Sequence, residues 1–442
     1  MLTKFTNYIV YNHTYKGKKK ILTPNNFFNL YKCLRYLKKL NIKPLIISGG
    51  CGHGDKSFLT KSEYIISLKK LNKVLKIDKK KKIAIVQAGV NLYDLFKILQ
   101  ADNYFIYNIP GGKKISVGGA IAGNVHGRPQ TKDYSTFAEN IIHIKYIDEN
   151  LNIHKVNGNN LKTKNLIGSF GIHGVIIEAG LKFFDIKYKY LKKVNRSITN
   201  NNDFINLTKK NSFYGFINYF EKKKIVGNFT YFEIEKNCNK FLKKKINLFY
   251  LINFLKLDFI ISFFINKYSL KIFYFLIFNL KNLIKFRQII TTPVTFENSI
   301  YFVDINTYLP GYFRNGMIEI QFSVKKKKLL KIISEIKNKQ FNYSVFPIFF
   351  IVKKMKKIRK KYFFQFPLYE YCISLGYTKK QTFHNKLYFK ELYEIMFKNE
   401  CNLYFTKDET VLDFNINFKN KIKKKIKNIK FFSNDFYQKI LN

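Results

Sequence analysis

The sequence predicts an α+β fold of two domains. Its 442 residues suffice for about two or three domains of ordinary size, and 46% of them are hydrophobic, which is enough to bury a sizeable core. In the first part of the chain, short apolar strands and helices alternate with glycine-rich segments. Glycines become fewer around residues 186–192, and strand-like alternation follows. We therefore predict a first domain at residues 1–187 and a second domain, with an antiparallel sheet, at residues 188–400.

The first domain is predicted to open with a helix, a strand and a glycine-rich loop. Asn26 follows Pro24 at the start of a segment whose apolar side chains recur at helical spacing, which is typical of a capped helix. Residues 44–47 form a short apolar strand that leads into the loop. The apolar face of the helix is predicted to consist of Phe28, Leu30, Cys33, Leu34 and Leu37.

Further strands and a second helix complete this domain. A strand at residues 83–90 precedes a helix for which Asn91 is the N-cap. The other strands are predicted at residues 141–147 and 154–156, which form a hairpin, and at residues 175–177 and 179–184, which form a closing pair.

The second domain is predicted to contain both strands and helices. Its strand-like segments alternate between apolar and polar side chains, and its helical segments repeat apolar side chains every three or four residues. The strands are predicted within residues 213–235, 300–308 and 317–324, and the helices at residues 325–339 and 383–399.

Three glycine-rich segments of the first domain predict a ligand bound by main-chain atoms. They are residues 48–55, 116–127 and 168–174. Small side chains let the backbone approach a flat or charged ligand, and we expect the amides of Gly118 and Gly119 to form a nest for a pyrophosphate. None of the segments has the spacing of a Walker loop or of the GxGxxG motif, so a Rossmann-type site is not expected.

The net charge of +52 does not indicate a nucleic-acid-binding protein. Only six of the 80 basic residues are arginine, whereas nucleic-acid-binding proteins favour arginine for bidentate contacts. The lysines are spread along the chain beside abundant Ile, Asn, Phe and Tyr, which is typical of an AT-rich genome. We therefore expect no nucleic-acid partner, although a positive surface attracts anionic substrates and lipids.

The cysteines predict neither disulfides nor a metal site. They contain no CxxC pair, which favours a reducing compartment. The first residues do not form a signal peptide, and no uncharged apolar run reaches the roughly 18–20 residues of a membrane-spanning helix. Residues 244–290 are apolar but interrupted by lysines, so they form either a partly buried helical pair or a surface that lies on a membrane. We expect a cytoplasmic protein, with peripheral attachment to the inner membrane in the second case. The cysteines are Cys33, Cys51, Cys238, Cys372 and Cys401.

Four sequence blocks together resemble the FAD-binding domain of the vanillyl-alcohol oxidase superfamily, also called the p-cresol methylhydroxylase (PCMH) type. The blocks read PLIISGGCGHGD, VQAGVNLYDLFKIL, IPGGKKISVGGAIAGNVHGR and GSFGIHGVIIEAGLKF, and they occur in that order within roughly residues 20–185. The resemblance implies a PCMH-type, two-subdomain FAD-binding domain followed by an α+β substrate domain. It also implies FAD as the cofactor, because the glycine-rich loops of this superfamily surround the FAD pyrophosphate.

The resemblance implies a set of cofactor contacts, all of which lie in the matched blocks or in the C-terminal segment described next. These residues are Gly50, Cys51, Gly52, His53, Gly54, Asp55, Gly111, Gly112, Ser116, Gly118, Gly119, Gly123, Asn124, His126, Gly127, Gly174, Ile177 and Tyr404.

Within the superfamily, the chain resembles the decaprenylphosphoryl-β-D-ribose 2-oxidase family. NLYFTKDE at residues 402–409 is similar to RLYTAKDS of that family, and IQF at residues 320–322 is similar to its YQF strand. FFSNDF at residues 431–436 is similar to the start of its closing VFASDMARRL. The resemblance implies that residues 401–442 return to the FAD site, while residues 190–300 show no likeness to the family.

The ribose-oxidase resemblance assigns roles to several side chains. Lys407 would lie over the substrate near the flavin, as a base or as a stabiliser of the developing alkoxide. Gln321 would line the substrate pocket, and His126 would contact the flavin or the substrate. Without the resemblance, Lys407 would be interpreted as a solvated lysine, whereas the position of His126 at the end of a glycine run argues against a merely structural histidine.

Two positions of the predicted substrate pocket depart from that family. Its reactive cysteine falls on Ser374, so inhibitors that attack the thiol should fail here. Arg128 replaces a lysine, which keeps the charge but changes its geometry. Pro129-Gln130-Thr131 replace the following polar stretch of the family, so this wall of the pocket is expected to differ.

His53 supports two alternatives. In one alignment it replaces a tyrosine of the ribose-oxidase loop, and FAD is bound noncovalently. In the other, Gly50-Cys51-Gly52-His53 matches the GxGH motif of the sugar-lactone oxidases, whose histidine is bonded covalently to FAD. The alternative function is therefore an aldonolactone or sugar-alcohol oxidase with FAD attached through His53.

The ribose-oxidase resemblance implies oxidation of a secondary sugar hydroxyl to a keto sugar, with the 2′-hydroxyl of a polyprenyl-phosphoryl ribose as the group oxidised. In that family this reaction is the first half of an epimerisation in cell-envelope biosynthesis. The implied partners are the sugar substrate, a short-chain NAD(P)H-dependent reductase and a membrane surface. A flavin-free binding protein is a further alternative, and the intact glycine-rich segments and Lys407 argue against it.

Overall fold

A computed structural model of the chain describes residues 4–127, 135–187, 190–210, 212–234, 268–269, 271–272, 289–301, 316–358, 362–408, 410–414, 419–420, 422–423 and 431–441. These residues form helices and mostly antiparallel sheets, so the predicted α+β fold is confirmed. Arg128, Pro129-Gln130-Thr131 and most of the apolar segment 244–290 lie outside the described residues.

The strands of the first domain are β1 (Phe5–Ile9), β2 (Lys16–Leu22), β3 (Leu45–Ile47), β4 (Tyr64–Ser67), β5 (Val74–Asp78), β6 (Ile83–Gln87), β7 (Tyr104–Phe105), β8 (Ile141–Ile147), β9 (Ile153–Asn157), β10 (Val175–Lys182) and β11 (Phe184–Asp185). A four-stranded sheet has the order β1-β2-β4-β3, in which β4 is parallel to β2 and β3. An antiparallel five-stranded sheet has the order β5-β6-β10-β8-β9, and β7 pairs with β11. The pairing of β8 with β9 confirms the predicted hairpin.

The helices of this domain are α1 (Phe27–Lys39), α2 (Leu92–Ala101), α3 (Val117–Ala122) and α4 (Leu161–Leu166). The predicted caps are confirmed: the side chain of Asn26 accepts a hydrogen bond from the amide of Asn29, and that of Asn91 accepts one from the amide of Tyr93, both at 2.8 Å. Phe28 is exposed rather than on the buried face of α1. That face consists of Leu30, Cys33, Leu34 and Leu37.

Two predicted strands differ from the structure. The closing pair predicted at residues 175–177 and 179–184 is largely one continuous strand, β10, with an irregularity between Ile176 and Glu178. The strand predicted at residues 300–308 lies mostly outside the described residues, and its first two residues end a helix. In the first case a short apolar run did not show whether one strand or two would form. In the second it did not show whether a strand or a helix would form.

The second domain is built on an antiparallel eight-stranded sheet. Its strands are β12 (Tyr190–Ile198), β13 (Phe213–Ile217), β14 (Gly227–Ile234), β15 (Ile289–Thr295), β16 (Met317–Val324), β17 (Phe349–Lys354), β18 (Tyr371–Thr378) and β19 (Asn402–Leu403). The order is β15-β12-β14-β13-β17-β18-β16-β19, so the C-terminal segment supplies the edge strand beside β16.

The remaining helices are α5 (Asn201–Thr208), α6 (Phe296–Tyr301), α7 (Leu329–Tyr343), α8 (Lys379–His384), α9 (Lys386–Lys398), α10 (Val411–Phe414) and α11 (Asp435–Leu441). The helix predicted at residues 383–399 is therefore two helices, α8 and α9, separated at Asn385. None of the helices in the described ranges is long and apolar enough to cross a membrane.

Strand alternation divides β16 and β18 into a core face and a polar face. Ile318, Ile320 and Phe322 of β16 lie in the hydrophobic core of the second domain. Ile373 and Leu375 of β18 lie in the same core. Because successive side chains of a strand point to opposite faces, the intervening polar side chains face away from this core. These are Glu319, Gln321, Cys372 and Ser374.

Candidate active site

A cluster of polar side chains forms on the polar face of β16 and β18. The Nζ of Lys407 lies 3.0 Å from Oε2 of Glu319 and 3.1 Å from Nε2 of His53. The other oxygen of the Glu319 carboxylate accepts a hydrogen bond from Oγ of Ser374 at 2.6 Å. His53 comes from the first glycine-rich segment, and Lys407 from the turn that follows β19. The structure thus brings together three predicted site residues and adds Glu319.

Burial and mutual charge determine the protonation states in this cluster. Burial alone would raise the pKa of Glu319, but the neighbouring charges, with Lys407 first, lower it to about 2. Burial, together with the charge of Lys407, lowers the pKa of His53 well below its usual value. At neutral pH, Glu319 is therefore ionised and His53 is neutral, so Nε2 of His53 can accept a hydrogen bond from the Lys407 ammonium.

A second polar pair lies on the same face. The Nε2 of Gln321 lies 3.0 Å from Nε2 of His126 and 2.9 Å from Sγ of Cys372. Burial lowers the pKa of His126 well below its usual value, and the charge of Lys353 contributes in the same direction. His126 is therefore neutral, and its Nε2 accepts a hydrogen bond from the Gln321 amide. The roles that the resemblance assigned to Gln321 and His126 toward the substrate or the flavin stay predictions.

Two aromatic rings hold His126 in place. The ring of Tyr404 is 5.0 Å from the imidazole and that of Phe366 is 5.6 Å away, and the two rings stack on each other at 4.3 Å. The amide of Tyr404 donates to the carbonyl of Gln321 at 2.8 Å, and its hydroxyl donates to the carbonyl of Asn124 at 3.3 Å. Tyr404 thus ties the C-terminal segment to Gln321 and Asn124, and the return of this segment to the FAD site stays a prediction.

The site contains a thiol, although the position that aligns with the reactive cysteine of the ribose-oxidase family is a serine, Ser374. Ser374 contacts Glu319, and Cys372, two residues earlier on β18, also faces the site. Cys372 is completely buried, and burial raises the pKa of its thiol to about 11. A thiol in this state is a poor nucleophile.

The turn that carries Lys407 is anchored to the first domain. The hydroxyl of Thr406 donates to the carbonyl of Gly123, at the end of α3. The Nζ of Lys56 donates to the carbonyl of Asp408 at 2.6 Å. These contacts join the two segments that bear His53 and Lys407.

A buried ion pair supports that junction. Lys56 lies 2.8 Å from Asp55, and both side chains are almost completely buried. Lys439 of α11 lies 3.6 Å from the second oxygen of Asp55. The carboxylate of Asp408 accepts two contacts from the hydroxyl of Tyr393, at 2.9 and 3.0 Å. Asp55, which the resemblance assigned to the cofactor, is thus engaged with internal lysines.

The first glycine-rich segment is surrounded by basic side chains. Gly50 has φ +71°, a conformation that favours glycine. The thiol of Cys51 contacts the carbonyl of Lys114 at 3.3 Å. Burial raises the pKa of this thiol to about 11 against the opposing charges of Lys69 and Lys114. The positive charges of these two lysines, next to a half-buried glycine-rich segment, would attract phosphate groups.

The second segment does not form the predicted nest. It begins with α3, in which the amide of Gly118 donates to the carbonyl of Ala88 at 2.8 Å and that of Gly119 donates to Oγ of Ser116 at 3.3 Å. Both amides lie in the first turn of the helix, and they are used inside the protein by the carbonyl of Ala88 and by the capping side chain of Ser116. Gly119 is nevertheless exposed, and its contact with a cofactor stays a prediction.

Asn124 follows α3 and carries a buried, unsatisfied amide. Its φ is 42° and its exposure is 1%, and neither Oδ1 nor Nδ2 has a hydrogen-bond partner among the described residues. A Cβ on the nearby Gly127 would lie 2.1 Å from the carbonyl oxygen of Ile109, so only glycine fits there. Gly111 and Gly112 belong to the loop that leads into α3.

The third segment packs against α3. The amide of Gly168 donates to the carbonyl of Ile121 at 3.2 Å. Ile177 is buried, and its carbonyl accepts a hydrogen bond from the amide of Ala88 at 3.0 Å. Gly174 precedes β10 with φ +147°. The segment therefore supports α3 from the side of the five-stranded sheet.

The residues present fit FAD. The buried amide of Asn124 requires a polar partner, because an unsatisfied buried group is costly. Lys69 and Lys114 supply positive charge beside the first glycine-rich segment. Gly119 leaves the surface of α3 open, since only Oγ of Ser116 would approach a Cβ there. Asn124, Gly119 and the first segment would hold the cofactor.

Sequence reasoning missed Glu319, Phe366 and the orientation of Cys372. The signal for Glu319 was available: a charged residue in the segment Met317–Val324 interrupts an otherwise apolar strand, two residues before Gln321. Alternation places both on one face. Phe366 lies in a stretch without regular structure, and no pattern in the sequence indicated its contact with His126.

Comparison with known proteins agrees with a flavin-binding fold. Residues 19–157 match the family described as FAD binding domain. The chain is similar to L-gulonolactone oxidase of Scyliorhinus torazame, at 34% identity over 77 residues, and to D-lactate dehydrogenase of Archaeoglobus fulgidus, at 25% identity over 171 residues. These alignments cover 17% and 37% of this chain. The chain spans only 18% and 38% of the length of these two relatives.

The fold is similar to those of solved flavoenzymes. Cholesterol oxidase from Brevibacterium sterolicum superimposes with a TM-score of 0.73 at 10% identity, over 100% of this chain and 97% of that one. The BBE-like 1 protein of Physcomitrella patens superimposes with a TM-score of 0.65 at 14% identity, over 92% of this chain and 87% of that one. The predicted PCMH-type fold and the predicted cofactor, FAD, are confirmed.

Proposed function

Because the chain has an FAD-binding domain and the fold of the PCMH-type FAD-linked oxidoreductases, we propose that it oxidises a secondary hydroxyl of a sugar to a ketone. The group oxidised is the 2′-hydroxyl of a polyprenyl-phosphoryl ribose, and the product is the keto sugar of a two-step epimerisation. A short-chain NAD(P)H-dependent reductase would complete the epimerisation.

The observation that carries the proposal is the contact of Lys407 with both Glu319 and His53, beside the pair of Gln321 and His126. Lys407, Gln321 and His126 come from three separate segments of the chain. The resemblance to the ribose-oxidase family assigned a role to each of them separately. Their convergence on one face supports a common substrate pocket. A buried carboxylate and an ammonium within it can bind hydroxyl groups as acceptor and donor.

The protein's own side chains can manage the proton of the substrate hydroxyl. FAD, when bound, supplies the hydride acceptor of the reaction. Lys407 acts on the substrate oxygen through Nζ: in its neutral form it accepts the hydroxyl proton as the hydride leaves, and the ammonium so formed donates to that oxygen and stabilises the charge on it. The neutral His53 accepts a hydrogen bond from Nζ at Nε2, 3.1 Å away, and orients it. Glu319 holds Lys407 in position and offsets the positive charge of the pair.

Gln321 and His126 orient the sugar. The Gln321 amide donates to His126, which fixes the imidazole against the rings of Phe366 and Tyr404. The buried aromatic cluster excludes water from this side of the site, which strengthens the electrostatic interactions within it.

A second candidate function is that of an aldonolactone or sugar-alcohol oxidase. It is favoured by the similarity of part of the chain, 77 and 86 residues respectively, to L-gulonolactone oxidase and D-arabinono-1,4-lactone oxidase. His53 lies at the GxGH position and in contact with Lys407. In this alternative, His53 would anchor FAD covalently instead of orienting Lys407.

Acid precipitation of the purified yellow protein distinguishes the two functions. Flavin released into the supernatant supports the ribose oxidase, and flavin that stays with the pellet, but not with that of a His53→Asn variant, supports the lactone oxidase. Anaerobic mixing with polyprenyl-phosphoryl ribose or with L-gulonolactone then identifies the substrate that bleaches the visible flavin band. A protein that binds no FAD, or flavin that neither substrate reduces, would contradict the proposal.

A further inference from the structure

We propose that the surface formed by α8 and the first turn of α9 docks on an anionic lipid membrane. We call this surface the α8–α9 ledge, and define it by Phe383 and Leu387 with four surrounding lysines. In sequence, the ledge is distinct from the apolar segment 244–290. The inference rests on the proposed function in one respect only, which is that docking would give the protein access to a lipid-linked sugar. The lysines are Lys379, Lys380, Lys386 and Lys390.

The apolar part of the ledge is unusually exposed. Phe383 is 68% exposed and Leu387 is 69% exposed, and they stand four residues apart on either side of Asn385. The opposite side of α9 is already committed to the core through Tyr388 and Phe389. Folding therefore does not require these two side chains, and their exposure leaves apolar area for an external partner.

The charge of the ledge is of one sign. Residues 379–390 contain four lysines, one histidine and no acidic residue. The Nζ of Lys386 lies 5.6 Å from the centroid of the Phe383 ring, so cation and apolar group form one patch. Glu391, the next acidic side chain along the chain, contacts Lys339 and Tyr343 instead. A lysine-ringed pair of large apolar side chains is complementary to anionic headgroups above an acyl layer.

A cleft beside the ledge offers room for a headgroup. It has a volume of about 390 Å³, and Phe383 forms part of its wall. Its lining includes three lysines, whose positive charge attracts a phosphate group, although Lys379 also donates to the carbonyl of Thr14 and the hydroxyl of Thr382 donates to the carbonyl of Lys379. One acidic residue, Asp413, also lines it and pairs with Lys439 at 3.3 Å. The basic and hydroxyl-bearing residues are Lys379, Lys386, Lys439, Thr14, Thr382 and Thr410.

The ledge is also close to the candidate active site. Helix α8 begins directly at the end of β18, the strand that carries Ser374. Lys379 is five residues beyond Ser374, or roughly 17 Å along an extended strand. A protein docked by the ledge would hold its substrate pocket near the membrane surface, where a polyprenyl-phosphate sugar is found.

Co-sedimentation with lipid vesicles tests this inference without any substrate. The wild-type holoprotein is expected to bind vesicles containing phosphatidylglycerol and to bind pure phosphatidylcholine vesicles much less. Phe383→Ser/Leu387→Ser should weaken binding to phosphatidylglycerol vesicles at least about tenfold, since two exposed apolar side chains that the membrane would bury are lost. Lys380→Gln/Lys386→Gln should weaken it about fivefold per lysine. The matched control is Leu161→Ser, an exposed leucine beside Lys162 on α4, and it should bind as the wild type does.

Three outcomes would overturn the inference. They are a wild-type protein that does not bind the anionic vesicles, a double variant Phe383→Ser/Leu387→Ser that binds them unchanged, and loss of binding in Phe28→Ser on the basic helix α1 instead. Flavin reduction by a water-soluble ribosyl phosphate should be equal in wild type and in both ledge variants. A failure of that reaction in all three proteins would contradict the proposed function and leave the vesicle result standing.

Discussion

The Nζ of Lys407 lies 3.0 Å from Oε2 of Glu319, although the two residues are 88 positions apart and belong to different segments of the second half of the chain. The contact exists because β19 adds to the edge of the sheet beside β16, and the turn after β19 returns over the polar face. A lysine side chain that moved freely at the surface would not keep a largely buried carboxylate such as Glu319 as its partner. The pair gives the site a fixed donor and a fixed acceptor.

Replacement of Lys407 by Met should reduce the rate of flavin reduction by sugar substrate about 100-fold or more, because the donor to the developing alkoxide is lost. FAD content should be retained, since Lys407 is not one of the side chains that would hold the cofactor. The measurement is anaerobic stopped-flow absorbance. Lys407→Arg is the matched control and should keep more of the rate, because it preserves the charge opposite Glu319. Equal rates in Lys407→Met and wild type would show that Lys407 has no part in the reaction.

Replacement of Glu319 by Gln should lower kcat at least about tenfold, because Lys407 loses the carboxylate that holds it. Ser374→Ala removes only a neutral donor to the same carboxylate and should cost roughly fivefold or less. The pKa of Glu319 is lowered to about 2, so the wild-type pH profile should have no limb from this group above about pH 4. A limb near pH 5 that disappears in Glu319→Gln would contradict that protonation state.

The sequence singled out residues that the structure places near one polar face, and it did not predict the local backbone around them. On that face Lys407 contacts Glu319 and Gln321 contacts His126, while the roles of these residues in the reaction stay predictions. The helical form of residues 117–122 was not expected. Glycine disfavours helix, yet the Ser116 cap and the contact of Gly118 with Ala88 outweigh that local preference.

Glu319 and Cys372 show a second limit of the sequence reasoning. Both are defined by the face of a strand, and that face depends on the register between β16 and β18, in which Gln321 is opposite Ser374. Register is set by packing across the whole sheet, and a shift of one residue would turn these side chains into the core. The resemblance to the ribose-oxidase family assigns roles only to positions that match its motifs, so it did not identify Glu319 or Cys372 as site residues.

Two adjacent glycines of α3 should respond in opposite ways to replacement by alanine. A Cβ on Gly118 would lie 2.8 Å from Cβ of Ala88, so Gly118→Ala should destabilise the protein by about 1–3 kcal/mol. Gly119 is exposed, so Gly119→Ala should leave the apoprotein as stable or slightly more stable, while weakening FAD binding about tenfold through the added methyl group. Thermal unfolding and FAD fluorescence titration measure the two effects. Unchanged FAD affinity in Gly119→Ala would remove this residue from the cofactor site.

The buried lysine behind the site should be essential to stability. Lys56→Met leaves the carboxylate of Asp55 with only the longer contact to Lys439, so we expect a loss of about 3 kcal/mol in the free energy of unfolding. Lys439→Met is the matched control. Its side chain is 32% exposed and its distance to Asp55 is 3.6 Å, so the loss should be about 1 kcal/mol. Urea unfolding measures the free energy of unfolding of both variants. A larger loss in Lys439→Met than in Lys56→Met would contradict the prediction.

Acid should destabilise the protein through its buried histidines. Burial lowers the pKa of His173 from its ordinary value of 6.5 to about 4, and it also lowers the pKa of His53 and His126. Each unfolded histidine binds a proton more readily than the folded one, so the stability is fully present above about pH 6.5 and is lost as the pH falls toward 4.

His173→Phe isolates one of these contributions. The ring of His173 already meets that of Phe363 edge to face at 4.7 Å, so phenylalanine can occupy the same space without titrating. Between pH 7.5 and pH 5, the wild type should lose about 2 kcal/mol more of its free energy of unfolding than the variant does. The remaining slope in the variant would come from the other two histidines. Parallel pH dependences in the two proteins would mean that His173 is protonated as easily in the folded chain as in the unfolded one, and that its burial does not control its charge.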